Sequence, residues 1–256
     1  MAACATWNVN SLRVRLGHLV DWLKAGSLDV VALQETKLGD ADFPRSELEA
    51  LGFHAAFSGQ KTYNGVALLA RRPMGDLVTD LPGYPDPQRR LLAATVGDLR
   101  IVNVYVPNGQ SLDSDKYRYK LEWLAALGDF LRRELARHPR LLVMGDFNIA
   151  PEDRDVHDPR AWEGSVLVSA PERAALGALT ALGLVDLYRR FEQPPESYSW
   201  WDYRQAAYRR NRGLRIDLIL GSAQMAEHCS ACRIDRGPRG WERPSDHAPC
   251  AAHFDI

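Results

Sequence analysis

A chain of 256 residues with 46% hydrophobic and 25% charged residues has the composition of an ordinary globular protein with a large core. No apolar run approaches the roughly 18 residues of a membrane helix, no secretory signal is expected at the amino terminus, and the expected location is the cytoplasm. A net charge of −1 excludes nucleic-acid binding by bulk charge alone, and four cysteines, Cys4, Cys229, Cys232 and Cys250, are too few and too uneven for a disulfide framework.

In chain order, apolar runs rich in Val, Ile, Leu and Ala predict buried strands at 2–7, 29–33, 65–70, 91–96, 99–106, 141–144 and 215–220. Helical spacing links Leu16, Leu19, Val20 and Leu23, then Leu121, Leu124, Leu127, Leu131 and Leu135, then Leu176, Leu179 and Leu182. Pro171 and Glu172 suit the first turn of the last helix, and Gly183 falls near its end. Strands and helices mix along the whole length without a linker or repeat, so one domain spanning 1–256 is expected. The least regular stretch, 149–168, either contacts substrate or is a wet surface loop.

Seven arginines fall between Tyr188 and Arg215 against Glu192, Glu196 and Asp202, interleaved with Tyr198, Trp200, Trp201, Tyr203 and Tyr208. Cations that neutralise phosphates beside rings that stack on bases suit a DNA surface; a solvated loop with half-buried tryptophans has the same composition. Cys229 and Cys232 form a CxxC beside His228, but no second ligand pair accompanies them and no structural zinc is expected.

Chemistry gathers at the ends of the predicted strands. Asn8 and Asn10 follow the first, Glu35 in LQETK follows the second, and Asp146 and Asn148 in GDFN follow the run at 141–144. Hydrolysing a phosphodiester requires a neutralised transition state, a positioned water and a stabilised leaving oxygen. A hard divalent cation needs few carboxylates and keeps several waters; Glu35 is the candidate ligand, with Asn8, Asn10 and Asp246 close by if the strand ends converge. Asp146 and Asn148, two apart, project to one side of an extended backbone, so one of them abstracts a proton while the other holds the water. Taken singly, each of these residues is equally an ordinary cap, turn or surface residue. Asp217 lies inside the apolar run RIDLIL, where a carboxylate needs a partner, and His247 in SDH is the natural one. Whether that imidazole meets a phosphate as a cation or a second metal while neutral is left open by the residues alone.

The segments WNVNSLR, LQETK, YNGVALLARR, NVYVPNG, GDFNIAPED, YSWWDYR, NRGLRIDLIL and PSDHAP, in this order, resemble bacterial exonuclease III, the metal-dependent abasic-site endonuclease family, over essentially the whole chain. The resemblance implies a four-layered α/β sandwich, two packed sheets flanked by helices, with the active site at one end. It implies Glu35 as principal metal ligand with Asn10 and Asp246 nearby and Asp146, Asn148 and His247 adjoining, and Mg2+ or alternatively Mn2+ as the ion. Asn8 orients, Asp146 and Asn148 handle the attacking water, His247 supported by Asp217 contacts the scissile phosphate, and Tyr105 acts at the phosphate or leaving oxygen. Arg13, Lys37, Tyr63 and Asn108 resemble DNA-backbone contacts. Gln110 and Arg204 resemble side chains that wedge into the duplex, and Trp200, Leu214 and Ile216 resemble the pocket for a flipped-out abasic sugar. The implied substrate is double-stranded DNA with abasic sites or blocked 3′ ends, cut by a monomer with no membrane contact. Phosphohydrolases acting on other phosphoesters share this carboxylate set but typically carry histidine at the Tyr105 position. A non-catalytic regulator of the same fold is the other alternative, and the intact catalytic set weighs against it.

Overall fold

The computed structural model describes residues 2–256. In chain order the elements are β1 (Ala2–Asn8), α1 (Leu12–Ala25), β2 (Val30–Gln34), α2 (Arg45–Glu49), β3 (His54–Ser58), β4 (Val66–Ala70), β5 (Met74–Val78), β6 (Leu91–Val96), β7 (Leu99–Tyr105), α3 (Asp115–Arg137), β8 (Leu141–Asp146), α4 (Pro159–Trp162), α5 (Ala170–Thr180), β9 (Leu184–Asp186), β10 (Asp217–Ser222), α6 (Ala223–His228), β11 (Cys229–Ile234) and β12 (Cys250–Phe254). All seven runs expected to be strands are strands. They are continuously apolar because each is covered on both faces.

Period-two alternation sends their side chains to two different cores. In β2, β4 and β8, Val30, Ala32, Val66, Leu68, Leu142 and Met144 face an inter-sheet core. Val31, Leu33, Ala67 and Leu69 pack instead under α1 and α2 against Leu19, Leu23 and Leu48. Leu141 and Val143, with Val102 and Leu218, pack under α3 and α5 against Leu124, Leu127, Leu176 and Leu179. The result is four layers, helices outside and two six-stranded mixed sheets inside, as the resemblance implied. The sheet orders are β11-β12-β1-β2-β4-β3 and β5-β6-β7-β8-β10-β9. The four cysteines are free and buried in the inter-sheet core.

A polar clasp crosses that core close to the functional end. The Gln34 side-chain amide donates to Thr6 Oγ1 at 2.9 Å and Asn103 Oδ1 at 2.8 Å. Asn103 in turn donates to the carbonyls of Leu33 and Ala67 at 3.0 and 2.8 Å. All three side chains are fully buried, and the bonds joining Asn103 to Gln34, Leu33 and Ala67 run from one sheet to the other and fix how they sit, while Gln34 Oε1 is buried without a partner. Gln34 immediately precedes Glu35 and Asn103 lies on the same strand as Tyr105, so the clasp also sets the spacing of the site.

The helix expected after Pro171 begins with a reciprocal cap: Ser169 accepts from the Glu172 amide, and the Glu172 carboxylate accepts from Ser169. The 149–168 stretch is pinned rather than loose. It holds a 3-10 turn (Asp153–Asp155) and α4, and the fully buried Asp155 accepts from Arg215 Nε at 2.6 Å and from Arg189.

Candidate active site

Strand direction explains why distant residues meet. β1 and β2 are parallel, as are β7 and β8, and Asn8, Tyr105 and Asp146 are the last residues of β1, β7 and β8, with Glu35 just past β2. Strands antiparallel to these contribute their beginnings instead. Asp217 opens β10 and pairs in register with Asp146, which also pairs with Tyr105. His247 stands just ahead of β12, tied down by its carbonyl to Trp7 Nε1 at 3.1 Å and its amide to Ser245 Oγ at 3.2 Å. The glycine of GDFN is required by close approach, because a Cβ on Gly145 would lie 1.9 Å from the Val104 carbonyl oxygen.

Asn8 is the centre of the cluster. Its Nδ2 donates to Glu35 Oε1 at 2.8 Å and to Asp146 Oδ2 at 2.9 Å, holding two carboxylates that would otherwise repel, while its Oδ1 accepts from the Asn10 amide. Asp146 receives two further bonds from Asn148, from the backbone amide at 2.9 Å and from Nδ2 at 3.2 Å. Asn148 is itself held by Asn108 Nδ2 on its Oδ1 at 3.1 Å and by donating to the Val106 carbonyl at 3.0 Å. On the outer side Lys37 Nζ lies 2.9 Å from Glu35 Oε2 and donates to Asn10 Oδ1, and Asn10 Nδ2 donates to Asp246 Oδ1 at 2.9 Å. Asn10, Glu35, Lys37 and Asn148 all have positive φ, between 42° and 54°. Such backbone costs on the order of 1–3 kcal/mol per residue and collects at functional sites.

Charge in this buried cluster is strongly redistributed. Burial alone would push the His247 imidazole down, but Asp217, whose carboxylate oxygens lie 2.9 and 3.2 Å from Nδ1, and Asp146, 3.8 Å from Nε2, outweigh it and raise it to about 10. The two carboxylates thus favour the protonated imidazole. Burial, with Asp217 and Glu35 adding repulsion and His247 opposing, raises Asp146 to about 7, the range in which a general base works best. Burial, then the Glu35 charge, holds the Tyr105 phenol well above its ordinary value, so it stays a donor. Arg90 lies over the Tyr105 ring at 4.6 Å and donates to its carbonyl at 3.1 Å.

Glu35, Asp146 and His247 each turn one potential ligand atom inward, all within 4.8 Å of one another. Two of the three are hard carboxylate oxygens and the imidazole is already engaged by Asp217, a donor set that fits one hard divalent ion on the Glu35 side rather than a soft metal.

The Endonuclease/Exonuclease/phosphatase family matches residues 5–247. The chain belongs to that family. Among relatives, exodeoxyribonuclease III of Haemophilus influenzae is 36% identical over 262 residues, covering 97% of this chain and 98% of that protein. Among solved structures, the 3′ phosphatase NExo from Neisseria bound to a product DNA hairpin superposes with TM-score 0.98 at 46% identity, and an AP endonuclease from Archaeoglobus fulgidus with TM-score 0.96 at 38% identity, each covering 100% of both chains.

Within this family member, the residues expected at the periphery fall into separate groups. Tyr63, Asn108 and Gln110 share a groove of about 670 Å3 with Arg90, Lys116 and Tyr119, beside the cluster centred on Asn8. Arg13 is exposed and pairs with Asp42 at 3.7 Å. Arg204 is exposed and held by Asp202, so its charge is already answered. Trp200 donates to Asp246 Oδ2 at 3.0 Å, and its backbone bridges Leu214 and His247. Leu214 and Ile216 are fully buried in one cluster with Ala150, Val156 and Leu167, under the 149–168 segment.

The arginine-rich stretch also divides. Arg190, Arg204, Arg209, Arg210 and Arg212 are exposed, but Arg215 is buried against Asp155 and Asp186. Tyr198 and Trp201 are core residues. Sequence reasoning missed Lys120, Ser199 and Ser245. Ser199 Oγ accepts from the Ile216 and Asp217 amides at 3.0 Å each, and Ser245 Oγ donates to the Asn8 carbonyl at 2.7 Å. The one available signal was for Lys120, a lysine one helical turn ahead of Trp123 and Leu124 in an apolar stripe.

Proposed function

We propose that this chain is a divalent-metal-dependent DNA repair nuclease that hydrolyses phosphodiesters 5′ to abasic sites and at blocked or recessed 3′ ends of duplex DNA. The observation that carries the reading is Asn8 bridging Glu35 and Asp146 beside the His247–Asp217 pair, a constellation with separate groups for a cation, a water and a phosphate. Glu35, with Asn10 and Asp246 beside it, would hold the ion, Mg2+ in the first instance and Mn2+ as a substitute. When bound, the ion supplies charge neutralisation at the phosphate.

Asp146 takes the proton of the attacking water, and Asn148 with Asn8 fixes the carboxylate's orientation. His247, kept cationic by Asp217, donates from Nε2 to a non-bridging phosphate oxygen as charge develops there. Tyr105 offers its hydroxyl on the same rim. Arg13, Lys37, Tyr63 and Asn108 contact the DNA backbone, Gln110 and Arg204 wedge into the duplex, and Trp200 contacts the damaged nucleotide. A monomeric state and a cytoplasmic location belong to the same proposal; no helix among the described residues is long and apolar enough to cross a membrane.

Removing a 3′ phosphate or a terminal nucleotide requires no pocket for an extruded sugar, whereas abasic incision does. Leu214 and Ile216 are covered, so the ratio of incision to 3′-end removal reports how far the 149–168 segment yields. Three matched duplexes carrying an abasic site, a 3′ phosphate or a recessed 3′ end, with Mg2+ and with EDTA, test the proposal. EDTA-sensitive cleavage is expected, and duplex binding without metal-dependent cleavage refutes it.

A further inference from the structure

The Lys120 side chain lies behind the site, contacts no substrate position, and is fully buried on α3. Its ammonium has three protons, and three acceptors surround it. It donates to the Asn148 carbonyl at 2.6 Å, the Asn108 carbonyl at 3.1 Å and Glu172 Oε1. Asn108 and Asn148 belong to different loops, and their side chains also meet. The ammonium thus clamps the backbone of Asn148, which bonds Asp146, and that of Asn108, which holds Asn148. Glu172 is equally saturated: besides Lys120 it accepts from the Leu167 amide at 3.0 Å and from the amide and hydroxyl of Ser169 at 3.0 and 2.6 Å. The Lys120 stem fits beneath Gly109, where a Cβ would come within 3.3 Å of its Cδ.

We propose that Lys120, anchored by Glu172, is a positioning residue for the reaction: it holds Asn148 and Asn108 in the geometry that aims Asp146, and links that geometry to the 167–172 segment bordering the Leu214 and Ile216 cluster. This rests on the nuclease reading. Three features separate it from simple stability. A buried lysine costs desolvation that an apolar residue would not. Its bonds go to backbone carbonyls of the catalytic loops rather than only to its ion partner. Asn148 has φ 50°, a conformation that needs outside support.

The experiment compares wild type, Lys120→Met and the double variant Lys120→Met/Glu172→Gln. The double variant removes both buried charges while keeping an acceptor for the Ser169 cap. Folded fraction, thermal midpoint, DNA affinity, and kcat and KM on a 3′-phosphate duplex are measured for each. Lys120→Met is expected to lose about 100-fold in kcat, the scale of a misplacement near 1 Å, with KM and DNA affinity within about threefold. The double variant is expected to regain thermal stability relative to Lys120→Met while kcat stays depressed. Recovery of kcat together with stability overturns the proposal, as does full kcat in either folded variant. Should Lys120→Met fail to fold, the double variant decides alone. Absence of metal-dependent turnover in the wild type is a separate result that strikes the nuclease reading instead.

Discussion

Replacing Asn8 by aspartate puts a carboxylate where one amide nitrogen now serves two anions. That nitrogen lies 2.8 Å from Glu35 Oε1 and 2.9 Å from Asp146 Oδ2. At these separations and an effective dielectric near 20, each like-charge contact would cost roughly 6 kcal/mol, more than the acid pays by staying protonated. The protonated alternative limits the penalty at pH 7: holding a group of ordinary pKa about 3.9 neutral costs about 4 kcal/mol at 1.36 kcal/mol per unit. For a protein of this size that corresponds to a fall in thermal midpoint of roughly 8–16 °C.

The sign with pH follows directly. The new carboxyl has a folded-state pKa above its unfolded value, so the folded state binds the extra proton. The deficit relative to wild type is therefore absent below about pH 3.9 and grows as pH rises from there to the raised folded pKa, beyond which it levels off. A divalent ion bound at Glu35 adds the missing positive charge, so Mg2+ or Mn2+ narrows the gap more in Asn8→Asp than in wild type. Calorimetric melting of both proteins at pH 5 and pH 8, in EDTA and in Mg2+, reads all of this. An equal offset at the two pH values, or an EDTA-treated variant as stable as wild type, refutes the role of Asn8 as the bridge between Glu35 and Asp146.

Asp146→Asn is expected to lower turnover by several orders of magnitude with DNA affinity within about threefold, since it removes proton transfer rather than phosphate contacts; gel-shift and single-turnover assays check this, and parallel loss of binding contradicts it. Trp200→Ala, which deletes the donor to Asp246, is expected to erode discrimination between abasic and intact duplex, and unchanged product ratios would place recognition elsewhere. Asp155→Ala leaves the buried Arg215 with Asp186 alone and is expected to cost about 3–5 kcal/mol in urea unfolding. A change below about 1 kcal/mol would show that the pair is not what pins the 149–168 segment.

Legibility in the sequence followed burial. The seven strands visible as apolar runs are covered on both faces, and β2, β4, β8 and β10 are buried at every residue. The strands that left no signal include all four sheet edges, β3, β5, β9 and β11. In β5 the middle three residues are exposed, and in β9 only Leu184 is buried, so neither a run nor a clean alternation exists to be read. β12 was hidden differently, its core positions being the small Cys250 and Ala252 with Phe254. Charge misled where it turned inward: Arg189 and Arg215 count toward a basic surface in the sequence, yet both answer Asp155. For Lys120 the position in an apolar stripe hints at burial, but nothing local announces the acceptors contributed by two loops and another helix.

The candidate set was legible as residue types but not as a place, and strand direction supplies the difference. An acid just past an apolar run is a common turn residue. It becomes half of a site only when a second strand ends at the same rim, and a single sequence does not state which strands are parallel. Here each sheet carries one parallel pair, β1 with β2 and β7 with β8, and the Gln34–Asn103 clasp sets one sheet's ends against the other's. The antiparallel neighbours β10 and β12 must then deliver residues from their starts, and they deliver Asp217 and His247. This also explains why a carboxylate stands inside the apolar run of β10: Asp217 is one strand over from Asp146 and 2.9 Å from the imidazole that it charges. A one-residue slip of β10 would turn Asp217 to the helical face and leave His247 with Asp146 alone. The register of β8 and β10 therefore holds the chemistry as firmly as any single side chain does.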